Sequence, residues 1–192
     1  ELASTAQAKA EPPAESPAPS LQVEITCQGP FKFDFAGKVA TYHDHVDVLL
    51  EGDSNVYSVG FQSQLTALDV REGRRRWQFD VSSVNGLAAG LGNVYVVDTG
   101  STVIALDAVS GKPVWRQPEL AWRGLPTPVV LGPVLVTGDA DGYAPLLSQS
   151  DGGAVGRQRL VRDRLVSVSV QGERLYAWSV EGVLSAWTIR SR

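Results

Sequence analysis

The sequence predicts an all-β fold built as a partial β-propeller of about three to four four-stranded blades, preceded by an amino-terminal antiparallel strand segment. An eleven-residue phrase, A-x-D-x-x-x-G-x-x-x-W, occurs at residues 67–77 and again at 105–115. Strand patterns also recur about every 40 residues, and no segment shows a sustained helical period with caps. Such self-similarity is the signature of a repeat architecture, so the repeat is the strongest guide to the fold.

The first 53 residues lack the repeat phrase and divide into two segments. Residues 1–20 are rich in Ala, Pro, Ser and Glu, so they cannot bury enough apolar surface to offset the entropy of ordering, and a disordered tail is predicted. From residue 21 to 53 apolar and polar residues alternate, as in residues 31–35 (FKFDF), which predicts two or three antiparallel strands. Cys27 lies here and, as the chain's one cysteine, is interpreted as a small buried side chain.

Residues 54–192 contain a cycle of short strands. Equivalent strand positions fall at Val56, Val94, Val134 and Leu175, which gives steps of 38, 40 and 41 residues. In each cycle a strand passes a short turn, returns through a second strand, and continues through two more. Four short strands per repeat of this length are typical of one propeller blade, so 54–192 is predicted to form the propeller repeats.

The repeated phrase predicts a structural role for its residues. The aspartate can accept backbone N–H groups within a turn, and the glycine supplies a positive φ without steric cost. The tryptophan enters the next strand, where its large apolar surface can pack across to a neighbouring blade near the small alanine. The predicted tryptophan-docking residues are Ala67, Asp69, Gly73, Trp77, Ala105, Asp107, Gly111 and Trp115.

The third and fourth cycles depart from the phrase. The third retains Asp151 and Gly152 without a following tryptophan, and the fourth ends before reaching one. The pattern supplies about three and a half blades, whereas propellers close with roughly four to eight. An open array would leave unpaired sheet edges, so closure by the amino-terminal strands, by a second copy or by a partner is predicted.

These features resemble a known family. The phrase resembles the tryptophan-docking repeat of pyrroloquinoline-quinone-type β-propellers, and residues 56–192 resemble the C-terminal half of the BamB family, propeller lipoproteins of the outer-membrane β-barrel assembly machinery. The similarity rests on residues 56–60 (VYSVG) before 65–69 (LTALD), 94–98 (VYVVD) before 105–107 (ALD), 126–130 (PTPVV) with 138–143 (GDADGY), and 182–186 (GVLSA). Members of the family have eight blades, and their main partner-docking loops lie in earlier blades that this sequence lacks. Residues 21–50 are similar, over a short stretch, to OstA-like β-taco domains of lipopolysaccharide transport, which would make the chain a fusion.

Other chemistries are less well supported by the residues. The net charge is −4, and the basic run Arg71–Arg76 is interrupted by Glu72 and Gly73, which favours a solvated turn over a nucleic-acid site. His43, His45 and Asp47 would share one face of a strand and could meet a metal ion, but a polar strand face is the favoured interpretation. Asp139 and Asp141 resemble the start of a calcium loop, yet a hairpin turn is favoured because further oxygen ligands are missing.

The predicted function is that of a non-enzymatic scaffold in outer-membrane protein assembly, with propeller loops and strand edges presented to a partner or nascent barrel protein. No catalytic residue, metal or cofactor is predicted: no nucleophile–base motif occurs, and the adjacent cysteine pair of quinoprotein dehydrogenases is impossible with one cysteine. The predicted partner is a protein of the assembly machinery, with self-association as a route to closure and with no nucleic acid or membrane span. The resemblance implies a periplasmic location at the outer membrane. The alternatives are a fragment of a quinoprotein dehydrogenase and an envelope lipopolysaccharide-transport module.

Overall fold

The computed structural model describes the backbone of residues 31–35, 38–42, 46–51, 55–60 and 64–188, and the side chains of 55–59 and 64–188. These residues contain 17 β-strands, and their only helical turn is the 3-10 turn at Pro118–Leu120. The all-β architecture, with successive antiparallel sheets, confirms the predicted fold class.

The strands form five antiparallel sheets, four of which follow one another along the chain and are called blades 1 to 4. The remaining sheet is a hairpin of β1 (Phe31–Phe35) and β2 (Lys38–Tyr42). Blade 1 contains β3 (Val46–Glu51), β4 (Asn55–Gly60), β5 (Gln64–Asp69) and β6 (Arg75–Asp80). Blade 2 contains β7 (Ala88–Gly90), β8 (Asn93–Val97), β9 (Val103–Asp107) and β10 (Pro113–Gln117). Blade 3 contains β11 (Val129–Leu131), β12 (Val134–Val136), β13 (Tyr143–Ser148) and β14 (Ala154–Arg159). Blade 4 contains β15 (Leu165–Gln171), β16 (Arg174–Ser179) and β17 (Leu184–Thr188).

Strand β3 lies within the segment 21–53 that the sequence separates from the repeats. It pairs with β4 along its whole length, from Val46 opposite Gly60 to Glu51 opposite Asn55. The division at residue 53 therefore falls inside the first hairpin of blade 1. The predicted histidine pair and Cys27 lie outside the described residues, and of Asp47 the structure describes only the backbone, opposite Val59.

The core lies between successive blades. Side chains along a strand point alternately to its two faces, so each middle strand contributes to two layers. In blade 2, Val94 and Val96 face blade 1, while Tyr95 and Val97 face blade 3. The first strands of blades 2, 3 and 4 lie beside one another, because β11 contacts both β7 and β15. This stacking of radial sheets around their first strands is the arrangement of a propeller.

Candidate functional site

The turn of the repeated phrase is closed by the aspartate and the glycine. In blade 2 the Asp107 carboxylate accepts the backbone N–H of Ser110 at 2.7 Å and the Ser110 hydroxyl at 2.6 Å. The Gly111 N–H donates to the Asp107 carbonyl at 2.8 Å, and Gly111 has φ +69°. In blade 1 the Asp69 carboxylate accepts the N–H groups of Arg71 and Glu72. Aspartate is used here because its short carboxylate reaches the orphan N–H groups of its own turn.

These hydrogen bonds lower the pKa of both carboxyl groups. The Arg76 side chain is the main cause at Asp69, and the Ser110 hydroxyl is the main cause at Asp107. A depressed folded-state pKa stabilises the fold above the unfolded value, and this contribution is lost as the pH falls through the folded value.

We therefore expect the free energy of unfolding to fall as the pH is lowered below about 4, the ordinary pKa of an aspartate. In Asp107→Asn one of these titrating groups is removed, so the fall should be shallower than in the parent chain. Urea unfolding at a series of pH values measures both slopes. Parallel pH profiles for parent and variant would contradict the role given to Asp107.

Each phrase tryptophan crosses to the following blade and binds a backbone carbonyl there. Trp77 Nε1 donates to the Ala108 carbonyl at 3.0 Å, and the Tyr57 hydroxyl donates to the same carbonyl at 3.2 Å. One blade later the geometry repeats with the equivalent carbonyl, which again lies three residues before the turn glycine. Trp115 Nε1 donates to the Gln149 carbonyl at 2.9 Å, and the Tyr95 hydroxyl donates to it at 3.4 Å and to the Gln149 side-chain oxygen at 3.1 Å. The ring centroids of each Tyr–Trp pair are 5.7 Å apart.

Each tryptophan ring packs against a glycine of the following blade, where a side chain would clash with it. A Cβ atom on Gly111 would lie 2.5 Å from the Trp77 ring, and a Cβ on Gly152 would lie 2.5 Å from the Trp115 ring. The glycine therefore has two functions: it takes the positive φ of its own turn, and it forms a flat backbone surface for the neighbouring indole.

The phrase alanine has a different place from the one the sequence suggested. Ala67 lies opposite Trp77, and Ala105 lies opposite Trp115, within the same blade rather than across the interface. The small side chain admits the tryptophan of its own sheet, and the glycine of the next blade receives it. The spacing of residues along the sequence does not determine whether the alanine contacts a tryptophan of its own blade or of the next. The strand register determines it, because it places each alanine opposite the tryptophan of its own sheet.

Blade 3 exchanges the sizes of the paired residues. Leu146 of β13 lies opposite Gly156 of β14, at the positions held by Ala105 and Trp115 in blade 2. The Ser148 N–H donates to the Gly153 carbonyl at 2.8 Å, and the Gly152 N–H donates to the Ser148 carbonyl at 2.9 Å. Ser148 thus holds the position of Asp107, and Asp151 lies just before the glycine instead of starting the turn. Leu146 supplies the bulk that packs toward blade 4.

One face of blade 4 is exposed. The equivalent faces of blades 1 and 2 are each covered by the following blade. Strand pairing aligns Tyr176, Trp178, Leu184 and Ala186 of blade 4 with Tyr95, Val97, Val103 and Ala105 of blade 2. All four residues of blade 2 are 0% exposed, and blade 3 covers them. Trp178 is 48% and Leu184 58% exposed. We call these four residues of blade 4 the terminal face. Within the described residues, β17 also has a pairing partner on one side only.

The buried carboxylate of Asp139 is satisfied by its own chain. It accepts the N–H groups of Asp141 at 3.0 Å and of Tyr143 at 2.8 Å, and it forms ion pairs with Arg157 at 2.7 Å and Arg123 at 3.6 Å. The segment 139–142 is therefore a hairpin turn locked by its first residue, as the sequence favoured. Among the described residues, no group of three or more His, Cys, Asp or Glu side chains is placed to hold a metal ion.

Comparison with known proteins places this geometry in a family. Residues 43–117 match the family model described as "Outer membrane protein assembly factor BamB". The BamB protein of Pseudomonas aeruginosa is 42% identical over 144 residues, which cover 74% of this chain and 38% of that protein. The chain belongs to the BamB family. The crystal structure of BamB from Moraxella catarrhalis has a TM-score of 0.70 and 28% identity, with 78% of this chain and 44% of that chain covered.

The BamB-like chain spans well under half the length of the curated relatives it matches. The repeat fold also occurs in an enzyme, since quinohemoprotein alcohol dehydrogenase from Comamonas testosteroni matches 62% of this chain with a TM-score of 0.51 and 26% identity. The comparisons favour neither the dehydrogenase nor the lipopolysaccharide-transport alternative, and the OstA-like resemblance has no support in them. No helix within the described residues is long and apolar enough to cross a bilayer.

Proposed function

We propose that the chain is a non-enzymatic scaffold in outer-membrane protein assembly, located in the periplasm beside the outer membrane. The relatives carry the name of an outer-membrane protein assembly factor, and this name supports the process and the compartment. The observation that carries a binding role is the terminal face, because its apolar residues occupy positions that are buried by another sheet in blades 1 and 2. Large exposed apolar faces of this kind mark interaction sites.

The tryptophan-docking residues support this role without contacting a partner. We propose that Trp77 and Trp115, with their receiving glycines, hold the blades in a fixed order so that loops and strand edges keep a defined geometry. Rigid presentation reduces the conformational entropy lost when a partner binds. No catalytic residue and no cofactor enter this function.

The scaffold function is tested by capture with a defined target. We expect the immobilised chain to enrich subunits of the β-barrel assembly machinery from detergent-solubilised outer membranes of P. aeruginosa, identified by mass spectrometry. Trp115→Ala, which should separate blades 2 and 3, is the matched control and should capture less. Equal recovery on the parent chain, the variant and blank resin would contradict the proposal.

We further propose that a second copy of the chain covers the terminal face when no partner of the assembly machinery occupies it. The four residues of this face carry no charge, so two identical faces can pack without like-charge repulsion in a two-fold, self-complementary contact. Sheets that pack face to face in this way bury alternating side chains of both inner faces.

Self-association predicts a concentration-dependent dimer. We expect light scattering to detect a dimer of the parent chain and a monomer of Trp178→Glu, because burying an unpaired carboxylate in the contact is unfavourable. Val114→Glu, at a site that is 49% exposed on β10, is the control and should dimerise like the parent. A monomeric parent chain at all concentrations, or a dimeric Trp178→Glu, would overturn this mode of closure.

A further inference from the structure

An Asn–Gly pair, Asn85 and Gly86, lies in the connector 81–87 between blades 1 and 2. The chain has three asparagines, and valine follows the other two, Asn55 and Asn93. Glycine has no Cβ atom to hinder its own backbone nitrogen, so that nitrogen can reach the side chain of the preceding asparagine. We propose that Asn85 is a hydrolytic modification site, which the contact between two blade connectors keeps closed. This site lies outside the proposed scaffold function and does not depend on it.

The reaction requires only the chain and water. The Gly86 backbone nitrogen attacks Cγ of Asn85, and the new carbon–nitrogen bond closes a succinimide ring. The side-chain nitrogen leaves as ammonia, which carries away the proton of the Gly86 nitrogen. Water then opens the ring at one of its two carbonyl carbons and gives aspartate or isoaspartate. The net change exchanges an amide for a carboxyl group, which is ionised at neutral pH, and it involves no oxidant or reductant.

The two reacting groups are held by separate hydrogen bonds. The Asn85 side-chain nitrogen, the leaving group, donates to the Leu125 carbonyl at 2.9 Å. The Gly86 N–H, the nucleophile, donates to the Thr127 hydroxyl at 2.7 Å. Both acceptors belong to the connector 118–128 between blades 2 and 3. Attack requires the Gly86 nitrogen to lose its proton and turn toward Cγ, so its bond to Thr127 must break first.

The surroundings of the pair are also fixed. The Asn85 backbone N–H donates to the Ser83 hydroxyl at 3.1 Å, and that hydroxyl donates to the Val97 carbonyl of β8 at 2.6 Å. Ser83 is 2% and Leu125 3% exposed. Asn85 and Gly86 are half-buried, so the connector contact has to open before both groups are free to react.

The product would weaken the contact that protects the site. A carboxylate in place of the Asn85 amide accepts hydrogen bonds and donates none, so the Leu125 carbonyl would lose its donor and face a negative charge. In isoaspartate the backbone also gains a methylene group, which would displace the Gly86 N–H from Thr127. Each modified chain would therefore hold its two connectors less tightly than an unmodified one.

The rate of modification should follow the opening of the connector contact. Native proteins open locally with free energies below that of global unfolding. When opening and closing are fast relative to the chemical step, the rate is proportional to the population of the open form. Removing one of the two hydrogen bonds raises that population, so the Asn85 rate should report the strength of the contact.

The test measures deamidation by mass spectrometry of the tryptic peptide 77–116. This peptide contains both Asn85 and Asn93, so Asn93 is an internal reference, and trypsin does not cleave between Lys112 and Pro113. The full chain is incubated at neutral pH in buffer or in unfolding guanidinium chloride. A sample digested at zero time corrects for deamidation during the digestion.

Three variants of the full chain isolate the hydrogen bond to Gly86. Thr127→Val removes the accepting hydroxyl, and Thr127→Ser keeps it. Thr99→Val is the matched control, because Thr99 is exposed in the β8–β9 hairpin and its hydroxyl makes no hydrogen bond among the described residues. Guanidinium unfolding of each variant gives its globally unfolded fraction.

We expect Asn85 in folded Thr127→Val to deamidate roughly two- to tenfold faster than in the parent, the change expected for one hydrogen bond. This increase should exceed the part explained by the globally unfolded fraction. Thr127→Ser and Thr99→Val should keep the parent rate, and all four chains should react equally when unfolded. Unfolding the parent should accelerate Asn85 at least about tenfold.

Several results would overturn the assignment. They are equal Asn85 rates in the folded and unfolded parent, equal rates in folded Thr127→Val and Thr99→Val, and an Asn93 that reacts as fast as Asn85 in the unfolded chain. The comparison of folded with unfolded parent needs no variant, so it tests the closed site even if Thr127→Val fails to fold.

Discussion

Replacing Trp115 by alanine is expected to lower the free energy of unfolding by about 3–5 kcal/mol. The side chain is 8% exposed, packs on Gly152 of the next blade, and donates to the Gln149 carbonyl at 2.9 Å. Alanine would leave a cavity between blades 2 and 3 and remove one donor from a buried carbonyl. Urea unfolding followed by far-ultraviolet circular dichroism measures the change.

The control for Trp115 is another tryptophan of the same chain. Trp122→Ala removes an indole that is 87% exposed, and it leaves alanine in the same left-handed backbone. Its effect on the free energy of unfolding should stay within about 0.5 kcal/mol. A loss of less than about 1 kcal/mol in Trp115→Ala would contradict the docking function of Trp115.

The loss of Trp115 should also change the cooperativity of unfolding. Repeat proteins are stabilised by each repeat and by the interfaces between neighbours, so weakening one interface can separate the units on either side. Trp115 belongs to the cluster between blades 2 and 3, whereas Trp77 belongs to the cluster between blades 1 and 2. The Trp115 variant should therefore uncouple blades 1 and 2 from blades 3 and 4 rather than loosen all four.

The sequence was sufficient for the strands and for the turn chemistry. The strand positions that recur in the sequence are the first or second residues of strands in the structure: Val56, Val94, Val134 and Leu175. This success has a local cause, because period-two alternation and D-x-x-x-G turns depend on residues close in sequence. The carbonyl that each tryptophan binds lies 31 or 34 residues further along the chain, in the next blade, and no local pattern determines it.

One signal in the sequence could have identified the receiving glycine. The third cycle has no tryptophan of its own, yet it retains Gly152. In the structure Gly152 packs against Trp115 of the preceding blade, so the position requires a residue without a Cβ atom even in a cycle that has no tryptophan. Aligning the third cycle on Gly152 places Leu146 at the alanine position and Gly156 at the tryptophan position. This alignment alone indicates that the large and the small residue of the pair have changed places, as the strand pairing shows. The exposure of Trp122 has no such signal, because it follows from hydrogen bonds between separate loops.

Replacing Gly111 by alanine is expected to lower the free energy of unfolding by roughly 2–5 kcal/mol, the sum of two separate costs. The first is the left-handed backbone, since Gly111 has φ +69°. The second is steric, because the new Cβ atom would lie 2.5 Å from the Trp77 ring. That ring is held in place by its hydrogen bond to the Ala108 carbonyl, so it cannot move away without losing a buried bond.

Gly92 separates these two costs. It has φ +74°, and a Cβ atom at Gly92 would meet nothing within 4 Å. Gly92→Ala should therefore show the backbone cost alone, about 1–2 kcal/mol, in the same urea experiment. The difference between the two variants measures the contact with Trp77. It should disappear in a Trp77→Ala background, where the double mutant removes the ring that the new methyl group meets. A difference that persists without the ring would show that Gly111 serves its own turn only, and that the blades are joined by the apolar core around it.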